Sequence, residues 1–374
     1  MSHSSNRMPL IDALKAIASQ LIVLHHLAAY GPLTEAVQQV AQKPIDWLYD
    51  YARIAVQVFL VIGGFLAARG LSPDGQALER SPFSMIWKRY LRLSIPFLSA
   101  IALAIICSAI ANRWLDDDMV PARASLGQWV AHATLMHGIL GIESLSAGVW
   151  YIAIDFQLFS LLALLLWAGR RQWIAPAIVL CLAVASLFWF NRDASWDNWA
   201  VYFFGSYGLG AAAWWASNRN RLSFWVGVIA SVGIAALVLD FRLRIAVALV
   251  VALTLAFSRR SGLLERWPES DALAFLGRIS FSVFLVHFPV YLVVNAIYAR
   301  FDLVSPTSAI FGMLLTWGVS IGAATLFHRW IESPAGSQRI AAACGWLTAT
   351  VWQTSCQLVR QGKELLQRLV FGRA

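Results

Sequence analysis

The sequence predicts an all-α polytopic membrane protein, one bundle of about ten transmembrane helices, and three observations carry that prediction. Of 374 residues, 59% are hydrophobic and only 13% are charged, about half the charged share of an ordinary soluble domain. The apolar residues arrive in blocks of about 20, the length that crosses roughly 30 Å of hydrocarbon as a helix. Alternating ten-residue strands of the barrel type are absent, and lipid offers no hydrogen bonds to an irregular backbone. A mean hydropathy of +0.64 agrees.

The expected spans lie near residues 9–30, 48–68, 92–112, 148–168, 173–190, 197–217, 222–239, 243–258, 275–298 and 307–328. The seventh and eighth are divided by Asp240-Phe241-Arg242-Leu243-Arg244, which is either an end turn or a break at membrane depth. With the N-terminus inside, most Lys and Arg fall on one side, among them Arg69, Arg80, Lys88, Arg89, Arg92, Arg259, Arg260 and Arg329. The opposite side has few, such as Lys43, Arg113 and Arg192. The bias places both termini in the cytosol and residues 113–147 in an outer loop. That loop carries Asp116-Asp117-Asp118, expected as a solvated acidic turn. The spans fill residues 1–335 as one membrane domain. Residues 336–374 alternate apolar and basic positions, as in a helix lying on the inner leaflet with Trp346, Leu347, Val351 and Trp352 toward lipid.

The net charge of +9 needs no nucleic-acid partner, because basic cytosolic loops facing the anionic bilayer produce it. No basic run is interleaved with aromatics in the nucleic-acid manner. Cys107, Cys181, Cys344 and Cys356 show no C-x-x-C spacing, so neither a disulfide framework nor a metal site is expected. The first apolar block contains Lys15, His25 and His26 and ends in Tyr30-Gly31-Pro32, unlike a cleavable signal.

Ionisable groups inside spans are expensive, so each is a candidate for function. Lys15 and His26 are 11 residues apart; at about 100° per residue they share one helix face, roughly 16 Å apart along the axis. Asp12 lies one turn before Lys15. Lys15 could also snorkel to the inner surface, and His25, pointing about 100° away from His26, is expected to be structural. Arg53 and Gln57 form an i, i+4 pair, and Asp155 follows Tyr151 by one turn; Arg53 with Asp155 could be a buried structural pair. Ser280, His287 and Tyr291 share a face of the ninth span. Taken alone, these groups describe a polar intramembrane site, which transporters also possess.

Six segments resemble the membrane acyltransferase-3 family, integral-membrane enzymes that acylate surface glycans. Ile11-Asp12-Ala13-Leu14-Lys15-Ala16-Ile17-Ala18 is similar to the family's L-D-G-L-R-A-I-A, with a basic residue, ten positions, then His26. Val58-Phe59-Leu60-Val61-Ile62-Gly63-Gly64-Phe65 is similar to F-F-V-I-S-G-F, with Gly63 at the usual serine. Lys88-Arg89-Tyr90-Leu91-Arg92-Leu93 with Pro96 matches the basic run of the third span. Trp150 through Phe159 resembles W-x-L-x-x-E-x-x-F-Y, with Asp155 at the glutamate. Leu276 through Pro289 resembles L-G-x-I-S-Y-S-I-Y-L-x-H-x-P, and Trp330-Ile331-Glu332-Ser333-Pro334 resembles the closing Y-x-x-E-x-P.

The resemblance implies a bacterial inner-membrane O-acyltransferase that moves an acyl group, acetyl being expected, from cytosolic acyl-CoA to a hydroxyl of a surface or exported polysaccharide. His26 is the expected base or acyl carrier, with Asp155 orienting an imidazole and His287 either a further polar wall or a satisfied interior histidine. Lys15 and Arg53 are expected at the CoA pyrophosphate or the thioester carbonyl. Lys88, Arg89 and Arg92 at the cytosolic mouth suit the 3′-phosphate, or reflect only the positive-inside bias. Acyl-CoA is a substrate here, and no permanently bound cofactor is expected. Partners implied are the lipid bilayer, a carbohydrate acceptor, and polysaccharide-synthesis machinery or a separate periplasmic transferase. The rival reading is a proton-coupled transporter or flippase of a glycan precursor.

Overall fold

A computed structural model describes residues 8–169, 174–217, 222–267, 270–303, 305–340 and 342. Among them the chain is helical, without a strand. The helices are α1 Pro9–Leu27, α2 Gly31–Tyr51, α3 Val56–Leu71, α4 Pro82–Ala111, α5 Leu126–Ala133, α6 Trp150–Ala168 and α7 Ile174–Phe188. After them come α8 Ala200–Ala216, α9 Leu222–Leu239, α10 Leu243–Ser261, α11 Leu263–Arg266, α12 Asp271–Arg300 and α13 Pro306–Phe327. Prolines at the first turns of α1, α2, α4 and α13 start those helices where no intrahelical N–H is needed. The α5 start is a reciprocal capping box between Ser125 and Gln128.

Each expected span is matched by a helix. Eight helical stretches among the described residues are long and apolar enough to cross a membrane, one of them the 41-residue stretch Gly31–Leu71. The other two matches are α8, which has only 17 residues, and α10, which carries Arg244, Arg259 and Arg260. The expected span 48–68 is displaced to α3, and α2 is an additional helix before it. Leu33, Ala36 and Val37 give α2 a buried stripe at helical spacing, and this stripe lies against α13. Polar residues on its other face conceal it from a search for apolar blocks. Pro44 and the non-helical Ala41 kink it.

Residues 240–242 form the turn between α9 and α10, an end turn rather than a break within a span. Arg242 donates to Asn191 Oδ1 at 2.7 Å and to Leu187 O at 2.8 Å, and Arg244 donates to the Tyr202 hydroxyl and to Asn191 O. The two guanidinium groups thereby satisfy backbone carbonyls where α7 ends. The acidic run is a turn too, with Asp117 accepting from Met119 N at 2.8 Å. The tail expectation lies outside the described residues beyond 342.

Helices α3, α7, α9 and α10 surround α8, and α1, α4 and α13 pack around α12. Helix α8 is buried on all sides, which suits its uniformly apolar and small residues. At the α3–α8 crossing a Cβ on Gly64 would lie 1.9 Å from Tyr207 O, and one on Gly210 would lie 2.0 Å from Val61 O. Backbone touches backbone there, the close approach that small residues permit between helices in lipid.

Candidate functional site

Helices α1 and α12 bring two buried imidazoles together. His26 Nδ1 lies 2.7 Å from His287 Nε2, with the rings stacked at 4.9 Å and 9°. His287 Nδ1 lies 3.1 Å from Val283 O. A carbonyl only accepts, so His287 Nδ1 carries a proton, and in neutral His287 Nε2 then presents a lone pair. His26 must therefore donate from Nδ1, which leaves its Nε2 as the basic nitrogen. The chain from the Val283 carbonyl through His287 fixes the tautomer of His26.

His25 is different. Its Nδ1 lies 3.4 Å from Leu48 O and its ring meets Tyr49 at 5.7 Å. It serves the kinked end of α2, as expected for the structural member of the adjacent pair. Beyond His26, Tyr291 and Thr34 bond to each other and to Leu27 O and Tyr30 O, closing the end of α1.

Gly148 covers the pair from the other side. Its φ is +79°, and a Cβ there would lie 3.1 Å from Phe284 Cζ and 3.3 Å from His26 Cε1. Gly148→Ala is expected to lower stability by about 1–2 kcal/mol through the left-handed backbone alone and to displace His26. Thermal unfolding and acyl transfer, both measured in nanodiscs, check this; a variant equal to wild type in both refutes it.

Asp155 does not orient an imidazole. Its carboxylate accepts from Arg89 Nη2 at 2.5 Å, with the side chains 26% (Arg89) and 10% (Asp155) exposed. Arg53 is not its partner either: it lies at the surface in the 3₁₀ turn Ala52–Ala55, and Gln57 turns inward to accept from Ser206 at 2.6 Å. Arg89 Nε and the Tyr207 hydroxyl, beside this pair, are buried without a hydrogen-bond partner among the described residues. A Cβ on Gly63 would lie 3.1 Å from the Tyr207 ring and 3.6 Å from Asp155 Oδ1. The space of the family's usual serine is thus filled from α8.

Lys15 occupies a separate, charged end of α1. It is half-buried and interacts electrostatically with Asp12, Glu332 and Arg92. Glu332, in the π-helical turn His328–Glu332, accepts from Ser282 and lies 2.9 Å from His328 Nδ1. Lys88 and Arg92 are exposed. Apart from the exposed Arg53 and Lys88, the structure divides the expected residues into three places: the His26–His287 pair, the Arg89–Asp155 pair with Tyr207, and the Lys15–Glu332 end with Arg92. Tyr207 and the tautomer-fixing carbonyl of Val283 were not indicated by the sequence.

A family model described as an acyltransferase domain (Acyl_transf_3) matches residues 9–325, from the start of α1 almost to the end of α13. No curated protein and no solved structure matches. The match contains all three groups of residues except Glu332 and His328, and spans most of the chain. The chain belongs to the membrane acyltransferase-3 family.

Proposed function

We propose that this acyltransferase moves an acyl group, acetyl in the simplest case, from cytosolic acyl-CoA to a hydroxyl of a surface or exported polysaccharide. The single observation carrying this reading is the Val283–His287–His26 chain, which leaves one basic imidazole nitrogen free at a buried position. In the reaction His26 Nε2 takes the proton of the acceptor hydroxyl as its oxygen attacks the thioester carbonyl carbon. His287 accepts a hydrogen bond from His26 Nδ1 and so stabilises the imidazolium that forms. The tetrahedral intermediate collapses, the acyl–sulfur bond breaks, and the CoA sulfur leaves with the proton from His26.

Lys88 and Arg92, both exposed and Arg92 near the charged end of α1, are the natural contacts for the CoA phosphates; Arg89 is already committed to Asp155. Replacing Lys88 and Arg92 together with Gln is expected to weaken acyl-CoA binding, more at low salt than at high salt, because exposed charges are screened. Titration of acyl-CoA at two ionic strengths checks it, and an unchanged affinity removes both residues from the donor site.

This assignment places both termini in the cytosol of a bacterial inner membrane and residues 113–147 outside. An impermeant thiol reagent should label a cysteine introduced at Ser125 from the outer side of intact cells; labelling only after lysis reverses the orientation. The activity itself is tested by acceptor-dependent thiol release from acetyl-CoA by the protein in nanodiscs. A transporter or flippase consumes no thioester, so absence of thiol release with every glycan acceptor supplied refutes the reading.

A further inference from the structure

A cavity of about 240 Å³ lies outside these three groups, where the segment between α5 and α6 meets the loop before α8. His137, Trp150, Gln157, Asp197, Asn198 and Phe203 line it. Three features set it apart from an ordinary packing defect.

The first is His137. It is 1% exposed, yet both of its ring nitrogens are without a hydrogen-bond partner among the described residues. Buried polar groups are overwhelmingly satisfied, so two open nitrogens on one ring demand an explanation. Its neighbour His132 shows the contrast. His132 Nδ1 donates to Gln128 O at 2.7 Å, and its Nε2 accepts from Leu145 N at 3.2 Å. His137 stacks on this fixed ring at 4.2 Å and 4°, which sets its plane while leaving its edges unused. Burial, with His132 beside it, pushes its pKa down to about 4. At neutral pH the ring therefore offers one N–H donor and one lone pair.

The second feature is an aromatic wall. Trp150 and Phe203 stack at 5.5 Å and 28°, giving a flat apolar surface. Gln157 is held in place, accepting from Ala200 N at 3.0 Å, and the exposed Asp197 and Asn198 complete a polar rim. Among the described residues no Lys or Arg lines the cavity, so an anion is disfavoured.

The third feature is the position of the cavity. Rings run in contact from it to the histidine pair: Phe203 to Trp150, Trp150 to Tyr151 at 6.2 Å, Tyr151 to Phe284 at 5.6 Å, and Phe284 to His287 at 6.2 Å. Gly148 stands two residues before Trp150, and a Cβ built on it would lie 3.3 Å from His26 Cε1.

We propose that this cavity is an acceptor subsite holding one neutral sugar unit of the glycan, an inference that rests on the acyl-transfer reading above. A pyranose has an apolar C–H face for the Trp150–Phe203 wall and edge hydroxyls that both donate and accept, as His137 requires. The volume equals roughly eight waters at ~30 Å³ each, a space for one ring and below the ~300–1,000 Å³ of sites for larger ligands.

The full chain in nanodiscs is tested with methyl α-D-glucopyranoside, methyl α-D-galactopyranoside and methyl α-D-mannopyranoside by saturation-transfer NMR, and in parallel for thiol release from acetyl-CoA. At least one glycoside is expected to receive saturation from the wild type. His137→Leu and the surface variant Asn198→Leu are each expected to weaken its binding about tenfold, the loss of roughly one hydrogen bond. Should His137→Leu unfold, Asn198→Leu decides. Absence of saturation transfer from all three glycosides overturns the subsite, as does wild-type binding in a folded His137→Leu and in Asn198→Leu. Displacement of the sugar by an equal concentration of glycerol 1-phosphate assigns the cavity to a lipid head group and also overturns it. Binding lost in the variants while the wild type releases no thiol keeps the subsite and removes the acyl-transfer reading instead.

Discussion

His26→Ala is expected to reduce acyl transfer by about 100- to 10,000-fold, the usual contribution of a positioned general base, at near-normal protein level and membrane insertion. Among the described residues the only side-chain hydrogen bond of His26 goes to His287, so its removal unties no other described element. His25→Ala should be milder, because that ring contacts Leu48 O at 3.4 Å and Tyr49 at the end of α2 and takes no part in the His26–His287 hydrogen bond. His287→Ala should fall between the two: the base remains, but nothing selects its tautomer. Turnover measured at equal expression decides the order. If His25→Ala proves the most damaging of the three, the assignment of the base is wrong.

Asp155→Leu is expected to destabilise the protein by about 3–5 kcal/mol, the usual result of stripping one partner from a buried ion pair. Arg89 would keep its charge among Tyr207, Tyr151 and Phe159 with no carboxylate in reach. The double variant Arg89→Met with Asp155→Leu should recover most of that loss, because two apolar groups of similar bulk leave nothing unpaired. Thermal unfolding of the three forms separates the cases, and a single variant as stable as wild type would show that the pair contributes little to the fold.

The spans were legible because their lengths and apolar content are local properties. So was the interior position of His26 and His287, each of which stands at a family motif. Their mutual contact was not legible, since α1 and α12 are separated by nearly the whole sequence and periodicity places residues only on their own helix. The same limit explains Asp155. Helical spacing could set it one turn after Tyr151 but could not choose between Arg53 and Arg89 as its partner. The basic run 88–92 looked uniform in sequence, yet neighbours on a helix diverge by about 100°, and Arg89 turns inward while Lys88 stays outside. His137 carried no signal at all. Its meaning comes from the missing partners of its nitrogens, which only a folded environment reveals.

The hydrogen bond between the two histidines joins residues 261 positions apart. A ribosome adding roughly 5–20 residues per second needs on the order of 10–50 s between them. Throughout that interval α1 already rests in the bilayer with a polar imidazole and no orienting mate. The nascent protein therefore cannot orient its base in stages as successive helices insert. The tautomer of His26 is selected only when the penultimate spanning helix arrives, so a chain stalled before that point holds a base with no chosen direction.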